Sequence, residues 1–265
     1  MLRQFSSLPL LFVGLLVGAL APPAAAQSAA SVVDQMQARY LEQVETVDTY
    51  IVETNLYTSY NKKVTKDGAP TYQTQTTMKD QSAPSIASTS TPTVAYGLQY
   101  DRLKEQATYA GTETIDGTSC HLLQVNEPSK VNPDVSAEDA SSMTYYVDAN
   151  RHVPLRIVMQ SKKTNPQGPN AASVTVNMSD YRTVDGLTLP YRLELQFDMD
   201  LSDRQRRQME KALKKMENMS EQQRKQMESM MGGQMEMMKK MMTGEPMVVE
   251  VQDVQVNVDL PEGTF

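Results

Sequence analysis

Hydrophobic positions recur at two spacings along the chain, and each spacing predicts one kind of element. In residues 31–47 apolar side chains recur at three- and four-residue spacing, as Val33, Met36, Tyr40, Val44 and Val47. This spacing predicts an amphipathic helix. From residue 48 to residue 200, apolar and polar residues mostly alternate, as in 48–60. Alternation is typical of strands with one buried face, so the pattern predicts a helix followed by a sheet.

Turn residues divide the alternating region into hairpins. Asp-Gly pairs stand between β-prone runs at residues 67–68, 116–117 and 185–186, and a fourth turn is expected at 148–151. Asp-Gly favours tight hairpin turns because both turn positions require positive φ. The last segment, 248–258 (VVEVQDVQVNV), alternates strictly and should close the sheet. Together these patterns predict an antiparallel meander.

Two segments predict loops, and one is ambiguous. Residues 81–93 and 126–142 are polar and interrupted by prolines, which indicates loops. Residues 94–109 fit a helix and a strand equally well. Pro154 falls at the expected start of a strand, where a missing N–H donor is tolerated.

A methionine-rich segment, residues 201–246, interrupts the sheet pattern. Twelve of the nineteen methionines lie in residues 201–247, and on an ideal helix nearly all apolar side chains there fall within an arc of about 160°. The segment also repeats LSDRQRRQME as MSEQQRKQME after 18 residues, which is about five helical turns. The repeat preserves the apolar face, so we expect an inserted long helix or helical hairpin that covers the sheet or projects from it.

The methionine face allows three interpretations. The first, which we favour, is a packing face of an amphipathic helix or hairpin that lies against the sheet or against a second copy of the chain, with a ligand-facing lid as one form of it. The residues expected to form a lid or to dock a partner are Met227, Met231, Met235, Met238 and Met242. The second is contact with a membrane surface, because six basic residues lie within residues 204–215 beside the apolar arc. The third, less favoured, is Cu(I) binding, because thioethers are soft ligands. The candidate ligand sets for copper are Met231, Met235 and Met238, or Met238, Met241 and Met242.

The first 26 residues resemble an export signal. Arg3 precedes the apolar run 8–20, and Ala24 and Ala26 supply the small residues of a cleavage site. We therefore expect residues 1–26 to be removed and residues 27–265 to form one periplasmic domain. The apolar run is too short to span a bilayer, and no cysteine near the cleavage site offers a lipid anchor.

Composition narrows the class of partner. The formal net charge of −7 argues against nucleic acid as a partner. Cys120 is the single cysteine, so the exported domain forms no internal disulfide and must rely on its own core. Cys120 lies in a strand pattern, and we interpret it as a packed thiol.

The sequence contains no motif typical of an enzyme. A nucleophile elbow, a zinc-protease helix, a phosphate-binding glycine loop and a paired-cysteine metal site are all missing from it. His121 falls in a strand pattern and His152 beside a turn, where structural or exposed histidines are more common than general bases. We therefore predict no catalytic residue, no cofactor and no resident metal.

The succession of helix and hairpins resembles a known family. The stretches 112–125 (TETIDGTSCHLLQV), 145–158 (YYVDANRHVPLRIV) and 181–195 (YRTVDGLTLPYRLEL), with the terminal VQVNVDLPEGTF, are similar to outer-membrane lipoprotein-sorting proteins of the periplasmic Lol-type carrier superfamily. The resemblance implies an α+β fold, with a curved, antiparallel, unclosed β half-barrel. It also implies an apolar concave side that is covered by helices and holds acyl chains of lipids or lipoproteins.

These observations lead us to expect a periplasmic, non-enzymatic carrier of lipid or lipoprotein acyl chains. The positions expected to line its interior are apolar residues of alternating strands: Tyr50, Val52, Leu56, Leu122, Val125, Leu155, Ile157, Leu193, Leu195 and Val251. A one-residue error in register would exchange the two faces of a strand. The alternative is an interaction or sensor module that docks a membrane-protein partner through the methionine-rich arm, with transient contact to the membrane surface.

Overall fold

The computed structural model describes residues 27–66, 68–79, 98–132, 135–138, 140–162, 170–200 and 243–265, together with isolated positions between 203 and 240. The helices of these residues are α1 (Ala29–Thr46), α2 (Tyr100–Gln106) and α3 (Pro128–Val131). The strands are β1 (Thr49–Thr54), β2 (Tyr57–Lys66), β3 (Ala69–Met78), β4 (Ala107–Ile115), β5 (Thr118–Val125), β6 (Ala140–Asp148), β7 (Pro154–Ser161), β8 (Asn170–Val184), β9 (Leu187–Asp200) and β10 (Met247–Val256).

The ten strands form one antiparallel sheet that does not close on itself. Their order is β3-β2-β1-β10-β9-β8-β7-β6-β5-β4, so β3 and β4 are the two edges. The last strand lies in the middle of the sheet, where it joins the three N-terminal strands to the other six. The predicted α+β class is confirmed, with a curved, unclosed half-barrel and an N-terminal helix.

Helix α1 forms where the apolar spacing predicts it, and it begins two residues earlier. The Ser28 hydroxyl caps the helix by accepting a hydrogen bond from the Ser31 backbone N–H at 3.1 Å. Val32, Val33 and Met36 on its apolar face are almost completely buried against the sheet. Burial of each such side chain is worth about 1.5–3 kcal/mol, so tertiary contact is the main stabilisation of the helix.

The predicted hairpins are confirmed wherever their turns are described. Asp116 and Gly117 have φ of 48° and 82°, and Asp185 and Gly186 have φ of 47° and 89°. These left-handed values are those that Asp-Gly turns adopt readily. Gly68 has φ of 81° between β2 and β3, and the fourth expected turn connects β6 to β7.

The segment 48–60, predicted as one strand, forms two. The Thr54 hydroxyl accepts hydrogen bonds from the backbone N–H groups of Leu56 and Tyr57, at 3.1 and 2.9 Å, and this local turn separates β1 from β2. A threonine hydroxyl can replace a strand partner in this way. The turn also changes which residues of β2 face inward, so that Ser59 and Asn61 are buried.

The ambiguous and loop segments contain short regular elements. Residues 94–109 supply both α2 and the start of β4, and 126–142 contain α3 and the start of β6. Residues 81–93 and the expected signal peptide, 1–26, lie outside the described residues. None of the helices in the described ranges combines the length and apolar content needed to cross a bilayer.

The two ends of the half-barrel differ in their connections. Tight turns join β2 to β3, β4 to β5, β6 to β7 and β8 to β9 at one end, which we call the turn end. The longer connections 79–99, 126–139, 162–169 and 201–246 leave from the opposite end, which we call the long-connection end.

The methionine-rich connection, residues 201–246, joins the neighbouring strands β9 and β10. Its described residues Asp203, Arg204 and Lys211 are helical. Met227, Met231, Met235, Met238 and Met242 lie outside the described residues.

Candidate functional site

One face of the sheet carries a continuous row of apolar side chains. Residues paired directly across antiparallel strands point to the same face, so the register defines the row. This central row runs from β4 to β10 through Tyr109, Leu123, Tyr145, Ile157, Val176, Leu195 and Met247. All seven residues belong to the main apolar cluster, which therefore extends across seven neighbouring strands.

A second apolar row lies nearer the long-connection end on the same face. Its members on β5 to β9 are Val125, Met143, Met159, Val174 and Phe197. Val125 and Met143 are buried, whereas the last three are only half-buried. Apolar exposure therefore increases towards one end of the interior.

Helix α1 covers the central row. Val32, Val33 and Met36 belong to the same cluster as the row, and Leu103 of α2 is buried there as well. The part of the interior beneath α1 is filled by side chains, so an added ligand has the best access away from the middle of α1.

Five half-buried apolar side chains mark the long-connection end. They contact the main cluster and lie on or beside strand ends, and we call them the apolar rim: Leu56, Met78, Met159, Phe197 and Met247. Such positions combine contact with the core and access to solvent. The rim is therefore the part of the apolar interior that a ligand can reach from outside.

Most of the expected interior residues belong to the two apolar clusters. In the main cluster, Val125, Ile157, Leu193 and Leu195 are buried, and Leu56 is partly buried. In a smaller cluster with Val47, Leu187 and Leu189, Tyr50 and Val52 are buried and Val251 is partly buried. Their role in binding a ligand stays a prediction.

Leu122 and Leu155, which were also expected to line the interior, belong to neither apolar cluster. Leu122 pairs with Tyr146, in the row next to the one that contains Leu123, so it points away from the interior. The expected inward placement of Leu122 is therefore wrong by one residue of register. Leu155 is the extra residue of a β-bulge, because Arg156 pairs with Tyr146 and Pro154 with Val147. The bulge leaves Leu155 half-buried between buried Pro154 and Ile157.

Tyr50 is held by aromatic neighbours. Its ring meets the Tyr72 ring edge-on, with centroids 4.9 Å apart, and Tyr72 also meets Tyr40 of α1 edge-on at 6.4 Å. Burial, followed by the nearby Tyr72 hydroxyl, raises the pKa of Tyr50 well above its ordinary value. Tyr50 therefore remains neutral and contributes packing between α1 and β1.

Cys120 and His121 lie next to each other on β5. Burial, with the charge of Asp148 as the next cause, raises the pKa of the Cys120 thiol, which makes it a poor nucleophile. The expectation of a packed thiol is confirmed because Cys120 is fully buried. Burial, followed by the charge of His152, lowers the pKa of His121, whose Nδ1 lies 3.1 Å from the Tyr109 hydroxyl.

A polar cleft lies at the turn end, and the sequence patterns did not indicate it. The β6–β7 turn, the β8–β9 hairpin and Arg39 of α1 enclose a volume of about 370 Å³. An adjoining space of about 30 Å³ extends inward to Met36 and Tyr100 and has room for little more than water. We call the larger volume the turn-end cleft.

Within the described ranges, no three His, Cys, Asp or Glu side chains are arranged as metal ligands. The methionines proposed as Cu(I) ligands, Met231, Met235, Met238, Met241 and Met242, lie outside these ranges.

Comparison with known proteins finds similarity in fold. A domain from Vibrio parahaemolyticus described as an outer membrane lipoprotein-sorting protein has a TM-score of 0.45 at 10% identity, covering 88% of this chain and 94% of that one. A DUF1329 family protein from Desulfovibrio piger has a TM-score of 0.42 at 11% identity, with 88% and 95% covered. A LolA superfamily protein from Nitrosomonas europaea has a TM-score of 0.39 at 11% identity, with 89% and 96% covered.

No family model matches the sequence, and no curated protein matches it significantly. At sequence identities of 10% and 11%, the similarity to these structures concerns the fold alone. The function must be inferred from the residues of the site.

Proposed function

We propose that the protein is a periplasmic, non-enzymatic carrier that binds an acyl chain of a lipid or lipoprotein at the apolar rim. The observation that carries this proposal is the rim itself. Its large apolar side chains remain half-buried although they are continuous with two apolar rows of a curved, unclosed sheet. A hydrocarbon chain placed there would extend the existing core.

The expected affinity follows from hydrocarbon burial. Each buried methylene is worth about 0.8 kcal/mol, so an acyl chain gains enough by covering the rim to bind firmly and reversibly. The rim residues already contact the core, which reduces the ordering required on binding. Phe197 and Met159 are central to this expectation because they are rim members and also belong to the second row.

The location and partners in this proposal rest on the sequence. Residues 1–26 have the pattern of a cleaved export signal, which supports a periplasmic protein. The methionine-rich segment leaves the sheet at the long-connection end. We propose that Met227, Met231, Met235, Met238 and Met242 form a lid for the acyl chain or a docking face for a membrane-protein partner.

Substitution of Phe197 and Leu122 by alanine tests the site. Both are half-buried and apolar, but Phe197 belongs to the rim and Leu122 points away from the interior. We expect Phe197→Ala to weaken binding of dansyl-undecanoic acid roughly tenfold, since burial of such a side chain is worth about 1.5–3 kcal/mol. Leu122→Ala should leave the affinity unchanged. Fluorescence titration, with competition by palmitate, measures both, and circular dichroism verifies that each variant is folded.

Two results would contradict the carrier proposal. The first is no saturable binding of the acyl probe by the wild-type protein, and the second is an equal loss of affinity in both variants. Failure to bind, together with capture of a membrane protein through residues 201–246, would favour the docking alternative.

A further inference from the structure

Basic and hydroxyl side chains make up most of the lining of the turn-end cleft. Two arginines, Arg39 and Arg151, line it together with His152 and the hydroxyl residues Thr183 and Thr188. None of the residues that line this cleft is a carboxylate. The two guanidinium groups and the threonine hydroxyls supply several hydrogen-bond donors to the cleft, which favours an anion as its ligand.

Arg39 is oriented by contacts on both terminal nitrogens. Its Nη1 donates to Glu42 Oε2 at 2.9 Å, and its Nη2 donates to Thr188 Oγ1 at 3.1 Å. Each terminal nitrogen of a guanidinium carries two N–H groups, so these two contacts do not exhaust its donors. The side chain is 39% exposed, which leaves its charge accessible from the cleft.

Arg151 is fixed by a buried carboxylate and an aromatic ring. Its Nε donates to Asp148 Oδ2 at 2.6 Å, and its guanidinium lies 5.5 Å from the centre of the Tyr181 ring. Asp148 is only 2% exposed, whereas Arg151 is 51% exposed. The arginine is therefore held by its Nε side while its charge reaches the surface of the cleft.

His152 contributes an unsatisfied polar atom. Its Nδ1 is buried and has no hydrogen-bond partner within the described part of the chain. The residue has a φ of 56°, and its backbone N–H donates to the Asp148 carbonyl at 2.9 Å. An unpaired buried polar atom is unfavourable.

We propose that the turn-end cleft is a binding site for a phosphate group, carried by a lipid headgroup or present as the free ion. Phosphate matches the lining better than carboxylate because it offers more acceptor oxygens and suits the planar donor array of arginine. The paired hydroxyls of Thr183 and Thr188, 2.8 Å apart, add donor capacity beside Arg39. The volume is within the range of small-ligand sites. The site lies at the opposite end of the sheet from the apolar rim and stands independently of the carrier proposal.

Nuclear magnetic resonance of the two histidines tests this site directly. His121 and His152 are the only histidines in the sequence, so their ring resonances can be assigned with one histidine variant. Inorganic phosphate and water-soluble dihexanoylphosphatidylglycerol are titrated separately into the full chain. We expect saturable shifts of the His152 ring, with much smaller shifts of the His121 ring. Tighter binding of the lipid than of inorganic phosphate would identify a headgroup site, and equal binding would identify a site for the free ion.

Arginine variants complete the test. Arg39→Gln and Arg151→Gln should each weaken phosphate binding by about tenfold or more, because each removes a charge-assisted donor. Arg182→Gln is the matched control, since Arg182 is also an exposed arginine of this part of the sheet but is not among the residues that line the cleft. Its affinity should remain unchanged. An unmoved His152 ring in the wild-type titrations, or an equal loss in the Arg182→Gln variant, would overturn the proposal. Acyl-probe binding by the same samples reports on the carrier function separately.

Discussion

The side chain of Asn61 forms hydrogen bonds with residues of three strands, β1, β2 and β3. Its Nδ2 donates to the Tyr50 carbonyl at 3.4 Å and to Ser59 Oγ at 3.2 Å, and its Oδ1 accepts from Thr74 Oγ1 at 2.7 Å. Asn61→Ala would remove the buried hydrogen bonds between Asn61, the Tyr50 carbonyl and the Ser59 hydroxyl, so we expect a loss of about 1–3 kcal/mol in the free energy of unfolding. Urea denaturation measures the loss. Gln75→Ala on the exposed part of β3 is the control, and an equal effect of both substitutions would contradict this role for Asn61.

Asp148 gives the stability a specific dependence on pH. Burial raises its pKa, but hydrogen bonds from Arg151 and from the Asn150 backbone outweigh burial, so the pKa lies below its ordinary value. A lowered folded-state pKa stabilises the protein above the unfolded-state value of about 4, and this stability is lost as the pH falls through the lowered value. We expect Asp148→Asn to lower the free energy of unfolding by roughly 1–2 kcal/mol at neutral pH.

The difference between wild type and Asp148→Asn should narrow as the pH falls below about 4. Urea denaturation at neutral and acidic pH measures it. Asp253→Asn replaces an exposed aspartate and should change stability by less than about 0.5 kcal/mol at neutral pH. A difference between wild type and Asp148→Asn that stayed constant across this range of pH would refute the assignment.

Single residues also mark the limit of prediction from sequence for the site. Leu122 and Leu123 are adjacent leucines, and alternation alone cannot tell which one faces the interior. The bulge at Leu155 changes the alternation of β7, and the hydroxyl of Thr54 interrupts a pattern that otherwise continues for several residues. These three features depend on pairing between strands or on one side-chain hydrogen bond. The spacing of hydrophobic residues along the chain does not indicate either of these.

At the scale of elements, the β8–β9 hairpin must approach α1 closely. Gly186 has a φ of 89°, and a Cβ added there would lie 2.9 Å from Thr46 Oγ1. Gly117 has a φ of 82°, but an added Cβ would meet no atom within 4 Å. We expect Gly117→Ala to cost about 1 kcal/mol and Gly186→Ala roughly 2 kcal/mol or more, because only the latter adds a steric clash to the backbone strain.

Denaturant unfolding of both glycine variants measures these costs. The double variant Thr46→Ala with Gly186→Ala removes the nearest atom and should reduce the cost towards that of Gly117→Ala. Equal costs for the two single variants would show that the hairpin does not depend on its contact with α1.

The methionine-rich insertion should be separable from the half-barrel. It joins β9 and β10, which pair directly at Leu195 and Met247. A flexible linker of about eight residues can replace residues 201–246, because it is long enough to connect the end of β9 to Met247 at the start of β10. We expect the variant to keep its sheet, as measured by circular dichroism, because β9 and β10 pair directly without the insertion. Weaker binding of the acyl probe by this variant would favour the lid, and unchanged binding would favour the docking face. Loss of the sheet would contradict this separation.

The elements themselves were largely predictable from local chemistry. The spacing of Met36 and Val44 predicted α1, and the Asp-Gly pairs predicted the hairpins, because both depend on neighbours in sequence. The place of β10 in the middle of the sheet was not predictable, since it is decided by pairing with residues of β1 more than 190 positions away. The turn-end cleft was missed for the same reason, because it joins Arg39 to His152.

At the scale of the whole molecule, the half-barrel has two chemically different ends. The long-connection end carries the apolar rim, and the turn end carries a cleft lined by Arg39, Arg151 and His152. Helix α1 lies between them and fills the middle of the interior. A carrier built in this way would bind hydrocarbon at one end without involving the polar cleft, so acyl and phosphate binding should respond to different substitutions.

Lipid analysis of the native protein tests the central claim most directly. The mature protein is purified from its own host without detergent, extracted with organic solvent and quantified by mass spectrometry against protein concentration. We predict close to one acyl-bearing molecule per protein in the wild type, reduced in Phe197→Ala and unchanged in Leu122→Ala. Absence of acyl-bearing molecules from the wild-type protein, with the fold intact, would contradict the account.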